Sequence, residues 1–129
     1  VMDATNQILI YGVQHHIYTV LSVVWYAQAV QASGNWITMF LNGYDSKAGS
    51  TNITHYFMQE DMSLDQTYVW NDKFSFNGVE PTGTTALNAA QQIAIAAQTG
   101  SNVQKINFDM TAAGDDYDII VTYLDQDWT

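Results

Sequence analysis

Three histidines and a scattering of clustered carboxylates are the residues of this chain best suited to chemistry. His15 and His16 are adjacent. On a strand, neighbours project to opposite faces, so the pair cannot ligate one metal ion together without a bulge. His55 stands alone, with no carboxylate at a ligand-like spacing. Asp115, Asp116 and Asp118 follow Gly114, and Asp109 precedes the same turn. Carboxylates beside a glycine turn suit calcium, but the alternating ligand positions and distant glutamate of a calcium loop are missing. A solvated, charged turn is the simpler account. It serves equally for Glu60, Asp61 and Asp65. No metal or other cofactor is expected.

Other catalytic patterns are also lacking. There is no cysteine, which excludes a thiolate nucleophile, a thiolate metal site and a disulfide framework. No nucleophile-elbow motif is present, and the glycines are too scattered to form a phosphate-cradling loop. No pair of the thirteen acids stands out as a glycosidase dyad. The expectation is a protein that is not an enzyme.

Aromatic residues point elsewhere. Five Phe, four Trp and eight Tyr are present, and tryptophan and tyrosine favour interfaces as well as cores. Trp25 and Trp36 lie within or at the start of apolar runs and read as core. Tyr44, Trp70 and Trp128 stand beside polar turns or at the terminus and are the candidate interface residues.

The elements that must position these residues are short β-rich runs separated by turn-like clusters. The runs are 7–13, 17–27, 36–42, 55–59, 67–70, 73–76, 103–110 and 117–124. Residues 31–35 read as a turn, 43–52 as the most loop-like stretch, and 77–85 as an irregular connection around Pro81, the chain's one proline. Residues 111–116 (TAAGDD) read as a hairpin turn. In 17–27 both alternating faces are apolar: Ile17, Thr19, Leu21, Val23 and Trp25 against Tyr18, Val20, Ser22, Val24 and Tyr26. That pattern predicts a strand covered on both sides. Residues 86–98 (ALNAAQQIAIAAQ) are ambiguous. Their propensity favours a short helix capped by Thr85, while the all-β surroundings favour a strand over 91–97.

The expected fold is therefore all-β: an antiparallel, jelly-roll-like β-sandwich over residues 1–129, with a free N-terminal arm (1–6) and C-terminal tail (125–129). Its hydrophobic fraction of 47% supports a packed core. Only Lys47, Lys73 and Lys105 offset thirteen acids, and the formal net charge is −10. Such a surface repels nucleic-acid phosphates. No stretch approaches the roughly 18 apolar residues of a membrane-spanning helix.

The succession ILIYGV, IYTVLSVVWYA, NWITMFLNG, LNAAQQIAIAAQTGSNV and YDIIVTYLDQD resembles the small β-sandwich structural proteins of tailed bacteriophages, the decoration (cement) and tail-associated components. It covers most of the chain. It departs from that pattern at Ala89 and Ala90, where glycine is usual. The resemblance implies a virion location, packing against a major capsid or tail protein, a homotrimeric state, and no chemistry. A carbohydrate-binding module or lectin using surface aromatics with Asn42, Asn52 and Asn71 is the alternative. A barrel with an apolar ligand cavity is a third reading.

Overall fold

A computed structural model describes residues 6–31, 35–45, 50–79, 89–90, 103–112 and 114–128. Eight strands run in chain order: β1 (Asn6–Tyr11), β2 (His16–Ala29), β3 (Trp36–Asp45), β4 (Ser50–Asp61), β5 (Thr67–Trp70), β6 (Phe74–Asn77), β7 (Lys105–Met110) and β8 (Asp116–Asp127). They form two antiparallel sheets packed face to face, the expected β-sandwich. One sheet has the order β1-β7-β3-β4. In the other, β8 pairs along β2 from His16 to Ala29. It occupies that whole edge, so β5 and β6 share the opposite edge, end to end.

Alternation explains which side chains fill the space between the sheets. In β7, Ile106, Phe108 and Met110 point inward. In β3, Ile37, Met39 and Leu41 do the same. Trp25 lies at the centre, 6.4 Å from Phe108 and 5.9 Å from Tyr68 between ring centroids. Tyr117 closes edge-on against Phe108 at 5.9 Å.

Strand β2 corrects the expectation of a two-sided buried strand. Its buried residues are Tyr18 and Val20, then Val23, Trp25 and Ala27. The phase slips at Leu21, where the pairing with β8 jumps from Val20↔Tyr123 to Ser22↔Thr122. An extra residue at a bulge moves every following side chain to the other face. The buried face thus crosses from one sequence face to the other at the bulge, and Val24 and Tyr26 are left on the outward face.

Three further expectations change. The loop expected over 43–52 is largely strand: β3 continues to Asp45 and β4 begins at Ser50, with Gly43 pairing Ile53 and Asp45 pairing Ser50, because backbone pairing does not require apolar side chains. Residues 111–116 do not close a hairpin. Strand β7 pairs with β1 and β3, whereas β8 pairs with β2, so this turn is an arch between the sheets. The C-terminal tail is not free, since residues 125–127 continue β8 and pair with His16, Ile17 and Tyr18. Within 86–98 only Ala89 and Ala90 are described, both exposed and helical in backbone conformation. The rest of that stretch, and residues 1–5 of the proposed arm, lie outside the described residues.

Candidate interaction surface

The outward face of the β5/β6–β2–β8 sheet is built by cross-strand pairing. Val24 pairs with Val69 on one side and Ile120 on the other. Directly paired residues share a face, so three β-branched side chains form a continuous row across three strands. Val69 is 52% exposed and Ile120 65%. Tyr26 and Leu124 are exposed on the same face, and Thr19 donates to or accepts from Ser75 across it at 2.9 Å. Carboxylates frame the row. The Tyr26 hydroxyl donates to Asp65 (2.8 Å), and Gln28 donates to Asp118. The bond to Asp65 raises the Tyr26 pKa above its ordinary value, with Asp65's charge adding to it.

At one end of the β2–β8 ladder the two histidines take separate roles. His15 adopts φ 66° in the turn where His16 N donates to Val13 O. Its ring meets Trp128 edge-on at 4.8 Å, and Trp128 N donates to His15 O at 3.0 Å. His16 opens β2 with Nδ1 2.6 Å from Asp125 and Nε2 3.8 Å from Asp127. Both its ring nitrogens face carboxylates, not a hydroxyl nucleophile, so the cluster fastens the end of β8. Among the described residues no group of three or more His, Asp or Glu is placed to hold a metal ion.

The opposite end is tied by a residue whose role was missed. Asp115, expected in a solvated tip, is 1% exposed. Its Oδ1 accepts from Gln31 N (2.9 Å) and Asn35 Nδ2 (3.3 Å), and its Oδ2 from the Tyr117 hydroxyl (3.4 Å). It thereby joins the β2–β3 and β7–β8 arches. Thr111 Oγ1 reinforces the tie, receiving Trp36 N at 2.6 Å and donating to Trp36 O at 2.9 Å. Nothing local marks Asp115 off from Asp116, because Gln31 and Asn35, which join it to the other arch, lie 84 and 80 residues away.

The three sequence-predicted interface residues are not brought together. Trp128 is 58% exposed beside His15, as a surface role requires. Trp70 is 7% exposed and packs on Phe57 at 6.0 Å between centroids, which removes it from the surface. It pairs with Val23, and that parity turns it inward. Tyr44 lies in β3, and its side chain is outside the description. The surface residues missed are Val69 and Ile120, which nothing in the sequence singled out, and Trp36, which read as core but is 43% exposed. No helix among the described residues is long and apolar enough to cross a membrane.

Fold and surface together define an acidic antiparallel β-sandwich with one exposed apolar sheet face. Compared with known proteins, the chain matches no protein-family model, no curated protein and no solved structure.

Proposed function

We propose that this protein is a non-enzymatic assembly subunit, a virion structural protein of the decoration or tail-associated kind that packs against capsid or tail proteins. The observation that carries the reading is the continuous Val69–Val24–Ile120 row on an outward sheet face. Single exposed apolar residues are ordinary, but a contiguous patch rimmed by polar groups marks an interaction site. Complete burial of one such side chain contributes about 1.5–3 kcal/mol, and a partner covering the row gains part of that at each residue against the cost of association. The virion assignment rests on the resemblance to phage β-sandwich proteins. The net charge of −10 favours a protein partner over nucleic acid.

The test is sedimentation of the purified chain with candidate particles, beside a glycan array. Saturable cosedimentation supports the reading. A monodisperse monomer that never cosediments and binds glycans overturns it in favour of a lectin.

A further inference from the structure

The β1-β7-β3-β4 sheet presents an outward face of different character. In β3, Ile37, Met39 and Leu41 point into the core, so alternation turns Trp36, Thr38, Phe40 and Asn42 outward. Directly paired residues share a face. Phe40 pairs with Tyr56 of β4, Thr38 with Gln59, and Asn42 with Thr54. The Phe40 and Tyr56 rings meet at 5.4 Å between centroids, tilted by 54°. Phe40 is buried whereas Tyr56 is 70% exposed, so the inner ring props the outer one into solvent.

Trp36 stands at the other end of this face and is also exposed. Its backbone is held by Thr111 Oγ1, which accepts from Trp36 N and donates to Trp36 O. Four residues at about 3.3 Å each set Trp36 roughly 13 Å from Phe40 along β3. The interval carries Thr38 and Gln59, a hydroxyl and an amide, not apolar side chains. Beyond Tyr56 the polar surface continues, with Asn42 Nδ2 donating to Thr54 Oγ1 at 3.5 Å.

A protein partner's apolar patch meets no continuous apolar row here. Aromatic rings separated by amides and hydroxyls suit a chain of sugar rings instead. The C–H faces of such rings stack on aromatic side chains, and their hydroxyls both donate to and accept from amides. The net charge of −10 repels acidic polysaccharides. Two exposed rings spaced along one strand direction match a straight chain better than a coiled one.

We infer that this face binds a straight, neutral oligosaccharide, with Trp36 and Tyr56 as stacking platforms and Gln59 and Asn42 as hydrogen-bonding groups. The site lies on the opposite sheet from the Val69–Val24–Ile120 row. It is therefore independent of the assembly reading and compatible with it.

The probes are cellohexaose, xylohexaose and mannohexaose, titrated calorimetrically into the full chain. Maltohexaose, which coils, and polygalacturonate, which is acidic, are the comparisons. The expected result is one-to-one binding of at least one straight chain, tighter than that of maltohexaose, and no binding of polygalacturonate. Tyr56→Ala and Trp36→Ala each weaken binding roughly tenfold while keeping a cooperative thermal melt. Tyr56→Phe, which keeps the ring, and Ile120→Lys, on the opposite sheet, bind like the parent. Failure of all three straight chains to bind, unchanged binding by both alanine variants, or tighter binding of maltohexaose or polygalacturonate overturns the inference. Oligosaccharide binding without cosedimentation leaves this inference standing while the assembly reading fails. Cosedimentation without oligosaccharide binding does the reverse.

Discussion

At the scale of single residues, the carboxylate with most consequence is the buried one. Asp115 satisfies a backbone donor of one arch and the Tyr117 hydroxyl of the next strand. Removing it leaves the buried Tyr117 hydroxyl without that partner, at about 1–3 kcal/mol, and frees the partly buried Gln31 N at a smaller cost. Asp115→Ala should therefore lower unfolding free energy by roughly 2–4 kcal/mol in chemical denaturation, and Asp115→Asn by less. Two tyrosines set the alkaline limit. Burial pushes Tyr18 up to about 12, with Asp125's charge adding to it. Burial likewise pushes Tyr117 up to about 12, followed by the charge of Asp115 and its hydrogen bond. The ordinary tyrosine value is 10.0. Between these values the unfolded chain loses both phenolic protons while the folded chain keeps them. Stability is thus complete below pH 10 and falls as pH rises toward 12. Thermal melts across that window, with tyrosinate absorbance recorded alongside, should show ionisation of the two residues only on unfolding. A melting temperature flat from pH 10 to 12 contradicts this.

At the scale of elements, β2 decides most. Because Leu21 is the extra residue at the bulge, deleting it leaves Val23, Trp25 and Ala27 facing inward. Deleting Val24 instead turns Trp25 and Ala27 to solvent. Removing a core tryptophan contact alone costs about 3–5 kcal/mol, so the Leu21 deletion should retain a cooperative melt and the Val24 deletion should not. The β1–β2 connection is held by a close backbone crossing. Gly12 N donates to Gln104 O, and Gln104 N to Gly78 O, both at 2.9 Å. A Cβ on Gly78 would stand 2.1 Å from Val13 O, and backbone cannot swing away as a side chain can. Gly78→Ala should accordingly cost on the order of 1–3 kcal/mol or more, measured by urea denaturation. A neutral substitution would show that the crossing has room.

At the scale of the whole molecule, exposure separates folding from binding. Ile120→Lys lies on the outward face, where substitutions usually change stability by less than about 0.5 kcal/mol. It should leave the melting temperature unchanged and reduce cosedimentation with particles several-fold. A variant that still sediments like the parent would clear the Val69–Val24–Ile120 row of any binding role. The amino-acid sequence by itself determined the all-β class, the positions of most strands and the acidic charge. These depend on β-propensity, alternation and composition, all of them local quantities. It could not show that 111–116 is an arch, that Asp115 is buried or that Trp70 faces inward, because each depends on partners distant in the chain. Nor could it show that Val69 and Ile120 face solvent or that Trp36, read as core, is exposed: period-2 alternation marks two faces but not which one a second sheet will cover. Tertiary structure alone decided that, by seating the β1-β7-β3-β4 sheet against Trp25 and Tyr117 and leaving Val24 and its neighbours to solvent.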